Sequence, residues 1–139
     1  MRRLRGVTVV AATVAALTFG VSTQAEATSP PHNIGWLYTQ SKSGAAFFDA
    51  DLAGYPSYEK ITVCDNKSDG RGIVAYVSGW QYNFGSYDWV TLSFRDPSND
   101  GDCEAQWDNY FLDGYVVDLT VCEYWGTNED NCATASGDA

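Results

Sequence analysis

Four kinds of side chain in this sequence are spaced so that they could do chemistry: carboxylates, one histidine, four cysteines and a large set of aromatics. Asp49/Asp51 and Asp108/Asp113 are pairs of the type glycoside hydrolysis uses, one acid protonating the leaving oxygen and the other acting as base or nucleophile. With 18 acidic residues in a chain of 139, such pairs are unspecific. His32 is the only histidine and sits in a Ser-Pro-Pro-His stretch with no base partner, so nucleophilic triad chemistry has no support. The expectation is a protein that is not an enzyme and needs no cofactor.

Calcium is the one metal worth weighing. Asp96 to Glu104 places oxygens at loop positions 1, 3, 5, 7 and 9 with Gly101 at position 6, the start of a D-x-[DN]-x-[DN]-G pattern. Asp96, Asp100, Asp102 and Glu104 are the candidate ligands. Trp107 occupies position 12, where a bidentate Glu is wanted, and no helical pattern flanks the loop. An Asn-Asp-Gly turn between strands accounts for the same residues, and it is the preferred reading.

The aromatics alternate with acids and amides: Trp80-Gln81-Tyr82-Asn83-Phe84, Tyr87-Asp88-Trp89, Trp107-Asp108-Asn109-Tyr110 and Glu123-Tyr124-Trp125. Exposed rings beside amides and carboxylates can stack on sugar faces and bond hydroxyls, or anchor a protein. Trp80, Tyr87, Trp89 and Trp125 are the candidate contact residues. The same rings could instead build a second inner face, because sandwich cores use aromatics freely.

The N-terminus gives the compartment. Arg2, Arg3 and Arg5, an apolar run from Val7 to Val21, and Ala25-Glu26-Ala27 read as a signal peptide over residues 1–27, with an A-x-A cleavage site. The run is too short to span a bilayer, which takes roughly 20 residues. The rest, 28–139, is expected to form one secreted domain with a mobile tail over 28–33. The whole chain carries 8 basic and 18 acidic residues; without 1–27 it has 5 and 17, a net charge of −12. That charge repels phosphate backbones and anionic lipid surfaces, so neither nucleic acid nor membrane is an expected partner. An extracellular polysaccharide or protein is.

The elements that must position these groups are strands. Ile34–Tyr38, Ala45–Leu52, Tyr58–Cys64, Ile73–Trp80, Tyr87–Arg95, an irregular Cys103–Leu112 and Tyr115–Trp125 are separated by Gly, Asn and Asp clusters every 8 to 14 residues or so. Asp69-Gly70 is a hairpin signal, and Gly126 to Asn131 reads as a turn near the end of the chain. The fold class expected is all-β: a small antiparallel, immunoglobulin-like β-sandwich of six or seven strands with two disulfides.

Cys64, Cys103, Cys122 and Cys132 allow three pairings. Cys64–Cys103 with Cys122–Cys132 is favoured, because the turn-rich Gly126–Asn131 segment lets the second pair approach. Cys64–Cys122 with Cys103–Cys132 would join two strands as in immunoglobulin domains, but both strand cysteines sit on the parity opposite the aliphatic core face. The loop-entropy argument assigns roughly 4 kcal/mol to a ~40-residue loop and roughly 3 to a ~11-residue one.

Val63-Cys64-Asp65 with Asp69-Gly70, Gly101-Asp102-Cys103, and Val121-Cys122 with Cys132 carry a resemblance. The sequence resembles a group of small secreted actinobacterial proteins of uncharacterised function over most of Ala45 to Cys132. The resemblance implies a β-sandwich with two disulfides and transfers no catalytic residue. A secreted hydrolase or protease inhibitor is the other function such a rigid, loop-rich scaffold suits.

Overall fold

Alternation of apolar and polar residues puts one face of each strand out of water, and two such faces close on each other. The computed structural model describes residues 30–97 and 100–139. It contains β1 (Ile34–Tyr38), β2 (Gly44–Asp49), β3 (Glu59–Asp65), β4 (Gly72–Asn83), β5 (Ser86–Asp96), β6 (Glu104–Asp108), β7 (Val116–Trp125) and β8 (Asn128–Asp138). They form two four-stranded antiparallel sheets, in the orders β1-β2-β3-β6 and β5-β4-β7-β8. The pairing of β2-β3-β6 against β5-β4-β7-β8 follows the strand order of immunoglobulin-like sandwiches. Ala46, Phe48, Ile61 and Val63 from one sheet meet Ile73, Ala75, Val77, Phe94, Val117, Leu119 and Val121 from the other, and Phe111 closes one end. The proposed signal segment, 1–27, lies outside the described residues. Among the described residues no helix is long and apolar enough to cross a membrane.

Several boundaries differ from those the sequence suggests, each for a physical reason. Among the described residues the strands number eight, because Asn128–Asp138 is a strand and not a turn with a short end. Its small and polar residues give no apolar alternation, yet it pairs with β7 from Trp125↔Asn128 to Val116↔Asp138. Asp69-Gly70 does not make a hairpin: β3 and β4 belong to different sheets, and this segment is the crossover between them. The tail is tethered from His32, whose backbone exchanges two hydrogen bonds with Asp138 at 2.9 and 3.2 Å. Asn33 Oδ1 accepts a bond from Ala50 N at 2.8 Å.

The disulfides are Cys64–Cys103 and Cys122–Cys132. Each staples neighbouring strands of one sheet instead of bridging the two sheets. Cys64 sits one residue from the core-facing Val63 and so points to the outer side, as does Cys122 beside Val121. Next to the second disulfide the β7–β8 register shifts, and Asn131 takes a φ of 54°. This bulge turns its side chain toward the sheet interior.

The longest hairpin outgrows its sheet. Pairing of β4 with β7 stops at Gly79↔Val117, whereas β4 and β5 stay paired to Asn83↔Ser86. Residues 80–89 therefore form a two-stranded arm. One side is braced by the segment after β6: Leu112 N donates to Trp80 O at 2.9 Å, and Gln81 Nε2 donates to Tyr110 O at 2.6 Å. Gly79 sits where Phe111 crosses β4; a Cβ there would lie 2.6 Å from the ring. Gly79→Ala should cost about 1–3 kcal/mol of overpacking, read as a lowered thermal midpoint.

Candidate functional site

The arm ends in a two-residue turn, Asn83-Phe84-Gly85-Ser86, with φ of 46° at Phe84 and 95° at Gly85. Both central residues are left-handed, the type I′ geometry that suits strand twist. On the outward pleat, Trp80 pairs with Trp89 and Tyr82 with Tyr87. The tryptophan centroids are 5.6 Å apart, edge to face, and the tyrosine centroids 5.1 Å apart at a 54° tilt. Such cross-strand pairs stabilise a hairpin by about 0.5–1.5 kcal/mol beyond area burial. Three of the four rings remain in water: Tyr82, Tyr87 and Trp89 are 57%, 63% and 42% exposed, Trp80 is half-buried, and Phe84 is wholly exposed.

Beside Tyr87 lies an open depression of about 320 Å³, lined by Ser57, Asn109, Phe111, Leu112, Asp113 and Tyr115. Ser57 Oγ donates to Asp113 Oδ2 at 2.6 Å, which orients that carboxylate. Rings, an amide and a carboxylate thus meet at one edge of the arm.

Three of the four expected contact residues, Trp80, Tyr87 and Trp89, share this surface. Trp125 does not join them. It lies at the opposite end of β7, half-buried, with the Arg71 guanidinium 4.2 Å from its ring centroid. Tyr82 and Phe84 belong to the surface as well. Their signal was the Asn-Phe-Gly turn: a two-residue turn sets Tyr82 opposite Tyr87, so the even-numbered residues before it share a face with the odd-numbered residues after it.

One acid from each expected pair is brought to a common depression. Asp108 ends β6, where its Oδ1 accepts from Asn109 N at 2.9 Å, and Asp113 lies beyond it in the following loop. Asp51 and Asp113 instead border one shallow depression of about 330 Å³ with Pro30, Pro31, Ser57 and Ala139. The calcium candidates do not converge. Asp96 is buried and its Oδ2 accepts from Asp65 N at 2.8 Å, while Asp100, Asp102 and Glu104 are exposed. Among the described residues no group of three His, Cys, Asp or Glu is placed to hold a metal ion.

Two buried glutamates are the residues that sequence reasoning did not single out. Both lie at core parity, Glu59 in step with Ile61 and Val63, and Glu123 in step with Leu119 and Val121. Glu123 accepts hydrogen bonds from Ser41 Oγ and Ser43 Oγ, from Arg71 Nη1 at 2.6 Å and from Asn131 Nδ2 at 3.1 Å. Burial raises its pKa, but the four donors outweigh burial and hold it at about 2. It remains an anion and ties the β1–β2 turn, the β3–β4 crossover and the β8 bulge to β7. Glu59 is the reverse case. Burial drives its pKa up to about 7 against the pull of the Tyr110, Glu59 and Phe111 amides, with the Asp113 charge adding to the rise. Its Oε2 accepts from Tyr110 N at 2.7 Å, and its Oε1 is buried with no hydrogen-bond partner among the described residues.

No family model matches this chain, and no curated protein or solved structure matches it either.

Proposed function

We propose that the chain is a secreted, non-catalytic binding module that holds an extracellular polysaccharide or cell-wall glycan on the outward face of the β4–β5 arm. One observation carries this reading: the Trp80/Trp89 and Tyr82/Tyr87 rows project beyond the sheet with Tyr82, Tyr87 and Trp89 exposed and Trp80 half-buried. Rings left in water on a braced arm add nothing to core burial that smaller residues could not supply. Neighbouring Asn109, Asp113 and Tyr115 offer partners for sugar hydroxyls. Two disulfides suit an oxidising, extracellular space.

The test is co-sedimentation of the purified protein with isolated cell walls and insoluble polysaccharides. The double variant Trp80→Ala/Trp89→Ala should pellet about tenfold less than wild type, the equivalent of ~1.4 kcal/mol. Its thermal unfolding should remain a single cooperative transition. Equal pelleting by a folded double variant would sink the reading.

The inhibitor alternative expected a protruding, disulfide-fixed loop at Gly126–Asn131. That segment is instead a tight Gly126-Thr127 turn between paired strands, with Trp125 opposite Asn128.

A further inference from the structure

Phe84 is costly where it stands. A bulky residue with a φ of 46° occupies backbone space that Asn, Asp and Gly enter easily, and its ring is wholly exposed at the arm's tip. It therefore neither fits the turn best nor packs against anything, and strain kept without a folding benefit points to a role in contact. The charge pattern around it says what is contacted. From Gly72 to Phe94 the sequence carries one charged side chain, Asp88, in a chain with 18 acids. Asp88 pairs with Gln81 on the inner pleat, away from the aromatic rows. No Lys or Arg falls in that stretch. The next cation, Arg95, lies at the far end of β5 with its guanidinium 5.0 Å from the Tyr124 ring centroid. The one acid lining the depression beside Tyr87, Asp113, already accepts from Ser57.

A surface with no cation cannot pair uronates or phosphates, and its rings and amides suit sugar faces and hydroxyls. We propose that the arm, with Phe84 as its leading contact, recognises an uncharged polysaccharide by stacking and hydroxyl hydrogen bonds. This rests on the glycan-binding reading above and narrows it to a ligand class. Binding is then insensitive to salt, because it releases no counter-ions. Phe84 is also separable from the fold: Phe84→Asn places a favoured residue in the turn, so it removes the ring while relieving the strain.

The experiment pellets wild type and Phe84→Asn with cellulose and chitin as neutral polymers, cross-linked polygalacturonate as the anionic one and chitosan as the cationic one, each at low and high salt. The expected result is retention on a neutral polymer at both salt levels, with Phe84→Asn retained about tenfold less and unfolding at a temperature no lower than wild type. Retention only on polygalacturonate or chitosan, or retention lost in high salt, overturns the ligand class and leaves glycan binding standing. Equal retention of Phe84→Asn overturns the role of Phe84. Absence of retention on all four, with isolated cell walls also negative, overturns both this inference and the reading beneath it.

Discussion

Glu123→Gln should lower unfolding free energy at pH 7 by about 3 kcal/mol, read as a fall in the urea midpoint with an unchanged slope. Glu123 is 1% exposed and answers four donors, one of them the Arg71 guanidinium. A neutral amide of the same shape keeps the volume but loses the anion. It also brings an NH2 group that competes with Ser41, Ser43 and Asn131 for acceptors. Removing one partner of a buried ion pair typically costs 3–5 kcal/mol; Arg71 keeps partial access to water and its contact with Trp125, which places this case at the low end. The pH dependence provides the second readout. The folded pKa of about 2 lies below the ordinary 4.5, so the anion's stabilising contribution is complete above pH ~4.5 and is lost as pH falls toward 2. Over that window the wild type should lose about 3 kcal/mol and Glu123→Gln much less. Parallel curves for the two proteins would show that Glu123 is not the group being titrated.

Glu123 also shows which parts of the molecule were legible in advance. The sheets were, because Ile61/Val63, Ile73/Ala75/Val77 and Val117/Leu119/Val121 alternate strictly and punctuation separates them. The disulfide pairs were too, because the parity of Cys64 and Cys122 removed them from the inter-sheet space. β8 was hidden because Asn128–Asp138 buries little; its place comes from β7 backbone pairing, which leaves no side-chain signature. Asp69-Gly70 misled for a related reason. A turn signal specifies a reversal but not whether the chain rejoins the same sheet or crosses to the other. The aromatic rows were half legible. Alternation set Tyr87 and Trp89 on one pleat, but the place of Trp80 beside them and of Trp125 apart from them depends on the β4–β5 register and on how far β4 outruns β7, and only register reveals that. The hydrogen-bond partners of Glu123 come from three separate segments, beyond the reach of local pattern.

Glu59 carries the opposite linkage, and it acts at the end of the sandwich that supports the arm. Its folded pKa of about 7 lies above the ordinary 4.5. Its contribution is therefore fully present below pH ~4.5 and is lost as pH rises through 7, when a proton must leave a site that is 0% exposed. The loss amounts to about 3 kcal/mol by the top of the window. Together with Glu123, this places maximal stability near pH ~4.5, more acidic than the usual range for small domains. Glu59→Gln should remove the alkaline limb: the variant keeps an oxygen for the Tyr110 amide and has no proton to lose. Below pH ~4.5 it should be about 1 kcal/mol less stable than wild type, since its NH2 group meets the same partnerless space as Oε1. Well above pH 7 the order should reverse. A urea midpoint series across this range gives the crossing directly, and a wild-type midpoint that holds steady from pH 5 to 8 would rule out a buried, protonated Glu59. The consequence reaches the arm through two hydrogen bonds. Glu59 holds the Tyr110 amide, and the Tyr110 carbonyl receives the Gln81 side chain of the arm. The arm's brace thus ends on a carboxyl group whose charge changes near neutral pH, so Glu59→Gln should also flatten any pH dependence of glycan retention between 5 and 8.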